Sequence, residues 1–417
     1  MTSPKSTSND GDTKMAPADS NESYMLYQKT YLASIERNQV SISRFILLSL
    51  YITHFLIPSG SKYTHKFMNL QYQHDVNLTI KHPSSIYDIG WDDSYIIIHG
   101  IILLTFLRSF LMINVFEPFA SKFCHIYSRK AKIRFAEQSW QFTYYGYSFL
   151  FGLYLFIKSP YYFNLDNVYI GWPHYQLKSE FKLYYLMATS FWLQQIFVLN
   201  IEQKRKDHFQ MFSHHIITCC LIIGSYYYYF TRIGHLILMI MDSVDTIFSF
   251  AKLLKYAGFN FLCDVMFFIF LTSWIVLRHG VYNYLLYHVI SRHKILMQES
   301  QCIEGVISLR RCWTENIFNV FFGLLGGLQI ITCVWMYLII KVAYKVITGT
   351  GAEDVRSDDE DEEEEEEEEV PLVKEDIVVS TDEDDEEDVK EKDNEDNEET
   401  TPIEKESSSD GTLDEKY

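Results

Sequence analysis

Three absences narrow the reading of this 417-residue sequence. Its seven cysteines, Cys124, Cys219, Cys220, Cys263, Cys302, Cys312 and Cys333, include no CxxC pair, and most lie inside apolar runs, which excludes a disulfide-built scaffold. Only Cys302 and Cys312 lie in a polar stretch between two apolar runs; they can pair if that loop faces an oxidising lumen. No N-terminal signal peptide is visible, because the first forty residues are polar and the first apolar run begins near Ile42, so insertion is expected to use internal spans. No fixed period repeats, which excludes a solenoid.

What is present divides into two unlike parts. The chain is 48% hydrophobic and 16% aromatic, yet its mean hydropathy is only −0.07. From residue 353 onward 34 Asp and Glu face 6 Lys and Arg, a net of −28 against −19 for the whole chain, so residues 1 to 352 carry +9. Such a tail cannot bury a core and is expected to stay extended and disordered. The expected organisation is a disordered cytosolic N-terminus over residues 1 to 40, then first spans and a luminal loop over 41 to 135. The main group of spans follows over 136 to 346, and an acidic cytosolic tail over 347 to 417.

A membrane-crossing helix needs about 20 apolar residues. Candidates lie at residues 42 to 58, 95 to 116, 139 to 157, 180 to 199, 209 to 229, 233 to 254, 259 to 277 and 317 to 345. These predict an all-α integral membrane protein, a polytopic bundle of about eight transmembrane helices. The densest basic clusters, SRKAKIR at 128 to 134 and QKRKD at 203 to 207, should be cytoplasmic. Both termini are then cytosolic, and the loop from 60 to 94, with the glycosylation sequon at Asn77, is luminal. The loop from 278 to 316, with Arg278, Arg292, Arg310 and Arg311, would be luminal and basic, against the charge rule. Aromatic clusters at the span ends fit rings at the headgroup level.

Four ionisable groups interrupt the apolar body: His214 and His215 in HFQMFSHHIITCCLIIG, and Asp242 and Asp245 in LILMIMDSVDTIFSF. An Asp at the centre of a span costs about 2.5 to 3.5 kcal/mol, so two in one helix point to a function. At i and i+3 they project about 60° apart, and Ser249 extends the stripe. The two spans are joined by about three residues and must form a hairpin. His214 and Asp245 then lie at depths of roughly 8 Å and 14 Å, close enough for an imidazole and a carboxylate to meet in a low-dielectric site. Packing histidines and a metal site remain open alternatives, although adjacent histidines rarely share one ion and no HxxxH or HxxHH cluster is present. Lys204, Arg205, Lys206 and Asp207 stand at the cytoplasmic mouth, either as a positive-inside anchor or as contacts for an anionic cytosolic substrate.

Residues 205 to 256, RKDHFQMFSHHIITCCLIIGSYYYYFTRIGHLILMIMDSVDTIFSFAKLLKY, resemble the signature of the ceramide synthases, the sphingoid-base N-acyltransferases of the TLC-domain family. The basic segment, the His pair, the hairpin with Arg232 and Gly234 and the two Asp all match. A wider resemblance runs from about Trp140 to Val346, and the layout with its acidic tail is similar to the yeast enzymes. The resemblance implies transfer of a long or very long acyl chain from acyl-coenzyme A to the amine of a sphingoid base in the endoplasmic reticulum membrane, with no cofactor beyond that co-substrate. His214 would carry the acyl group, Asp245 would orient it, and Asp242 and His215 would assist proton transfer; a ternary complex with His acting only as base is the alternative.

Substrate contacts would fall on Lys204, Arg205, Lys206, Asp207 and Ser249. A small single-span regulatory subunit and a dimer with itself or a paralogous synthase are implied partners, with membrane lipid around them and no nucleic acid. The homeodomain-like insertion of many animal relatives is absent, and the terminal DEKY lacks a dilysine retrieval signal. Ser357, Ser380 and Thr381 precede acidic runs that suit an acid-directed kinase. The competing class is a TLC-fold protein that handles or senses lipid, or assists membrane insertion, without chemistry; such a protein needs neither the His pair nor both Asp.

Overall fold

The computed structural model describes residues 20–74, 86–201, 207–296, 302–303 and 311–348. Helices dominate: α1 (Ser20–Leu56), α2 (Pro58–Met68), α3 (Asp93–Leu111), α4 (Glu117–Phe123), α5 (Arg129–Ile157), α6 (Ser179–Ile201), α7 (His208–Tyr227), α8 (Thr231–Tyr256), α9 (Asn260–Ser273), α10 (Tyr282–Leu296) and α11 (Glu315–Ile347). Two π-helical stretches, Met112–Phe116 and Trp274–Val281, splice α3 to α4 and α9 to α10 into continuous rods. The strands are only two-residue pairs. β1 (Gln73–His74), β2 (Ile86–Tyr87) and β3 (Leu177–Lys178) form one antiparallel set, and β4 (Cys302–Ile303) and β5 (Arg311–Cys312) another.

Two boundaries differ from the sequence reading. Helix α1 begins at Ser20, within residues expected to be disordered. No proline or glycine occurs between Pro17 and Pro58, so nothing in the chain stops the helix from running back from its apolar end. The loop expected from residue 278 is helical as far as Leu296, because the apolar pattern continues: Tyr282 and Leu285 are buried, and Val289 packs on the core. Asn77, the N-terminal residues before Ser20 and the acidic tail beyond Thr348 lie outside the described residues.

Among the described residues four segments are long and apolar enough to cross a membrane: Asn38–Leu56, Asp93–Phe123, Asn260–His293 and Glu315–Val346. Helices α5 to α8 are long enough as well, but polar side chains dilute them. Gln138, Ser139 and Ser148 of α5, Lys182 and Gln194 of α6, His215 of α7 and Asp242 and Ser249 of α8 are all buried. These helices turn polar groups inward, while large hydrophobic side chains are exposed on the four apolar segments, such as Phe45, Phe261 and Ile330, and on α5 and α7, such as Leu150 and Phe209. That division fits a lipid-facing shell around a polar interior.

The α7–α8 hairpin is the axis of the site. Tyr228, Tyr229 and Phe230 make its turn, with Tyr229 at φ 59 and fully buried. The Tyr229 hydroxyl donates to the Asp88 carboxylate, and Trp172 Nε1 donates to the Tyr228 carbonyl at 3.0 Å. Close to this turn, Lys182 Nζ lies 2.7 Å from Asp93 Oδ1, with the side chains 0% and 2% exposed. Lys182 also donates to the carbonyls of Asp88 (2.6 Å) and Gln71 (2.9 Å), while Asp93 accepts from Tyr226 (2.8 Å). A buried pair persists only when its remaining donors and acceptors are answered, and here the carbonyls of Gln71 and Asp88, beside β1 and β2, and the Tyr226 hydroxyl of α7 answer them. Gly234 lets the hairpin approach α6: a Cβ there would collide with Tyr185 Oη.

Candidate active site

A cavity of about 250 Å³ opens beside the His208 end of the hairpin. Helix α7 lines it with His208, Met211 and His215, and α8 with Asp245, Phe248, Ser249 and Lys252. Both sets follow the three-and-four spacing of one helix face. Facing them are Gln138 and Tyr145 of α5, Trp192 and Gln195 of α6, Trp274 and Arg278 of the α9–α10 rod, and Trp335 of α11.

His215 is 4% exposed, and its Nδ1 lies 2.6 Å from the Met211 carbonyl. A carbonyl can only accept, so Nδ1 carries the proton and Nε2 keeps the lone pair of a base. His214 points elsewhere and lines neither this cavity nor the one described next. Its ring meets Trp192 and Trp335 edge-on, at 5.3 and 5.1 Å between centroids. Its Nδ1 is buried without a hydrogen-bond partner.

The carboxylates are held by groups other than the imidazoles. Arg278 donates to Asp245 Oδ1 at 2.6 Å, and Ser148 Oγ donates to Asp242 Oδ2 at 2.6 Å. Asp242 Oδ1 is buried without a partner. Among the described residues no hydrogen bond joins His214 or His215 to either carboxylate, which corrects the expected imidazole–carboxylate contact. Each group is engaged elsewhere: the Met211 carbonyl takes His215 Nδ1 and Arg278 takes the Asp245 carboxylate. Arg278 instead reaches Asp245 from the rod. It is 3% exposed, lies 4.1 Å over the Trp274 ring and donates to the Met241 carbonyl at 3.2 Å.

The site therefore collects His215, Asp245 and Ser249 on one cavity wall, with Asp207 at its rim. Asp242 and His214 line neither cavity. Lys204, Arg205, Lys206, Ser357, Ser380 and Thr381 lie outside the described residues. Sequence reasoning missed Arg278, which it had assigned to a loop; an arginine between two apolar stretches carried the same signal as the two Asp. It also missed Lys252 and Lys255, which line the mouth and continue the stripe of Asp245 and Ser249. Elsewhere, Cys302 is disulfide-bonded and stands opposite Cys312 in the β4–β5 register. No group of three His, Cys, Asp or Glu side chains able to hold a metal occurs among the described residues.

A second cavity, about 90 Å³ and almost wholly apolar, continues along the same hairpin toward its turn. Thr218, Leu221, Ile222 and Ser225 line it from α7, and Ile233, Gly234, Ile237, Leu238 and Met241 from α8. Tyr169, Val289, His293, Trp313 and Phe318 border it as well. The two linings meet within one helical turn, between His215 and Thr218 on α7 and between Met241 and Asp245 on α8. A chamber set with charged and amide side chains, an imidazole and a carboxylate at a joint, and an apolar chamber beyond define a site for an amphipathic substrate inside a membrane bundle.

The class this arrangement belongs to is that of the TLC-domain membrane proteins, and the TLC-domain family profile matches residues 134–341. A sphingosine N-acyltransferase-like protein of Alternaria alternata is 40% identical over 300 residues, covering 66% of this chain and 69% of its own. A sphingosine N-acyltransferase of Schizosaccharomyces pombe is 38% identical over 307 residues, covering 73% and 75%. A ceramide synthase of Gibberella moniliformis is 33% identical over 342 residues, covering 76% and 78%. The chain belongs to the ceramide synthase (sphingosine N-acyltransferase) family.

Proposed function

We propose that this protein is an acyl-coenzyme A-dependent ceramide synthase that forms an amide between a long or very long acyl group and the amine of a sphingoid base. The observation that carries this is the pair of chambers meeting at the His215 and Asp245 level. The polar one, with Lys252 and Lys255 at its mouth, suits the phosphate-bearing half of the thioester, and the apolar one suits the chain. The scissile thioester then lies at the joint. No cofactor is needed beyond the co-substrate.

In this reading an imidazole nitrogen attacks the thioester carbonyl, the C–S bond breaks and the thiolate leaves with a proton. The amine of the base then attacks the acyl-imidazole, the C–N bond to the ring breaks and an amide remains. His214, whose buried Nδ1 has no protein partner, is the acyl carrier, and a buried nitrogen left unpaired at a cost of about 1–3 kcal/mol is one that a substrate can engage. His215, with its tautomer fixed by Met211, takes the amine proton, and Asp242 and Asp245 balance the charge that develops.

The setting follows from the same reading. Helices α5 to α8 also span, giving eight transmembrane helices, with both termini cytosolic, in the endoplasmic reticulum membrane. Asn77 and a Cys302–Cys312 bridge then face the lumen, and Ser357, Ser380 and Thr381 are cytosolic phosphorylation sites. A small single-span subunit and a second synthase copy are the expected protein partners.

The test is amide synthesis by purified protein or microsomes supplied with sphinganine and acyl-coenzyme A. Wild type should form ceramide, and His214→Ala and His215→Ala should each lose at least about a hundredfold in kcat, the scale of a lost acid–base group. Intact mass after incubation with acyl-coenzyme A alone should show one acyl adduct in wild type and His215→Ala and none in His214→Ala. Absence of ceramide where a known synthase makes it would refute the activity; an adduct retained in His214→Ala would refute the assignment of the carrier.

A further inference from the structure

We propose that the Trp192 indole is a movable partition between the two chambers, which an acyl chain must displace, and that this makes Trp192 a determinant of the chain lengths the enzyme uses. The inference rests on the acyltransferase reading above. Among the described residues, Trp192 alone lines both cavities. It stands where both hairpin linings break for a single turn, between His215 and Thr218 and between Met241 and Asp245. The chambers are thus consecutive lengths of one channel along the hairpin, divided at the level of Trp192.

The indole is buried, 5% exposed, on a firmly packed turn of α6. Its neighbour Phe191 is fully buried and stacks on Tyr144, 3.4 Å between centroids at 9°, which anchors this turn of α6. The Trp192 ring itself makes edge-on contacts, with His214 at 5.3 Å and 77° and with His215 at 5.4 Å and 64°. Two buried polar atoms near it lack partners: His214 Nδ1 and, on the far side, Thr218 Oγ1. Rotation of the indole away from the imidazoles joins the chambers and uncovers His214, which otherwise borders neither. One movement then admits the chain and exposes its acceptor.

Chain-length dependence follows from the arithmetic of such a partition. Displacing the indole costs the same for every chain that reaches it, whereas the return grows with each methylene buried beyond it. With the thioester at the joint, a medium chain buries fewer methylenes beyond the indole and recovers less of the cost than a very long one. Removing the ring removes the cost and narrows the gap between chains.

The experiment uses the full-length protein in lipid nanodiscs, as wild type, Trp192→Phe and Trp192→Ala, with decanoyl- and hexacosanoyl-coenzyme A. In Trp192→Ala the ratio of kcat/KM for the long over the medium chain should fall by about tenfold or more, the scale on which apolar pockets discriminate, chiefly through a lower KM for the decanoyl substrate. Trp192→Phe should lie between. A merely structural tryptophan would lower activity on both chains equally, and an unchanged ratio overturns the proposal. If Trp192→Ala turns over neither substrate, equilibrium binding of the non-reactive decyl and hexacosyl thioethers of coenzyme A decides: a narrowed Kd ratio supports the partition, and a wild-type ratio overturns it. A wild type that makes no ceramide and binds neither thioether sinks the acyltransferase reading itself. That result is distinct from a variant that discriminates as wild type does.

Discussion

At Asp245 the carboxylate is answered by a guanidinium carried on a rod more than thirty residues downstream, so substitutions at the two positions should be strongly coupled. Arg278→Met leaves a half-buried carboxylate without its cation and should destabilise the protein by about 1–2 kcal/mol, read from thermal unfolding in detergent. The pair Arg278→Met with Asp245→Asn should recover part of that loss; simple addition of the two single effects would show that the contact carries no coupling. Ser148→Ala, which removes a hydroxyl donor to Asp242, should cost about 2 kcal/mol and slow turnover while leaving the affinity for acyl-coenzyme A near wild type. Both Asp and both His were legible in the sequence because charge inside an apolar run is expensive and therefore conspicuous. Their partners were not, since Ser148, Trp192 and Arg278 reach the site from other helices, and no local pattern couples positions so far apart.

At the scale of elements, the hairpin was readable because three turn residues between two long apolar runs leave little choice but antiparallel packing. What the pattern did not carry was how closely the hairpin approaches α6. Gly234→Ala should destabilise by about 1–3 kcal/mol, because its Cβ would meet the Tyr185 hydroxyl oxygen, and Tyr185→Phe in the same chain should relieve part of the cost. A second contact fastens the segment between α5 and α6 to the α9–α10 rod: Asp166 accepts from Arg292 Nη2 at 2.6 Å, and His288 Nε2 lies 3.1 Å from its other oxygen. The Arg292 guanidinium holds the Asp166 carboxyl below its usual range, with His288 adding to the effect. A lowered folded value means that this contact is complete above the ordinary carboxylate pKa, about 3.9, and is lost as pH falls through the lowered one. Limited proteolysis within residues 159 to 178 should therefore accelerate below that window in wild type and be fast at neutral pH in Asp166→Asn. Equal protection of the two chains at neutral pH would count against the contact.

For the molecule as a whole, hydropathy and function are distributed in opposite senses. The segments that read most plainly as membrane-crossing, Asn38–Leu56, Asp93–Phe123, Asn260–His293 and Glu315–Val346, lie at the two ends of the described chain. Every residue assigned to the chemistry except Arg278 lies on the four helices between them, and these are the ones diluted by polar groups. The buried Lys182–Asp93 pair joins the two populations, since Asp93 begins α3 and Lys182 lies on α6. Lys182→Met should thus act far from the cavity, lowering thermal stability by about 3 kcal/mol or more with little change in KM. The same division bears on biogenesis. Inserted singly, each of the helices α5 to α8 would have to carry its polar groups into lipid unpaired, whereas packed together they answer one another, Ser148 of α5 with Asp242 of α8 and Tyr185 of α6 with Ser225 of α7. The active site is then assembled by the same pairings that make its helices tolerable to the membrane. A loss of activity on substituting Asp242 or Arg278 should accordingly be divided by the amount of protein that reaches its inserted form before it is ascribed to catalysis.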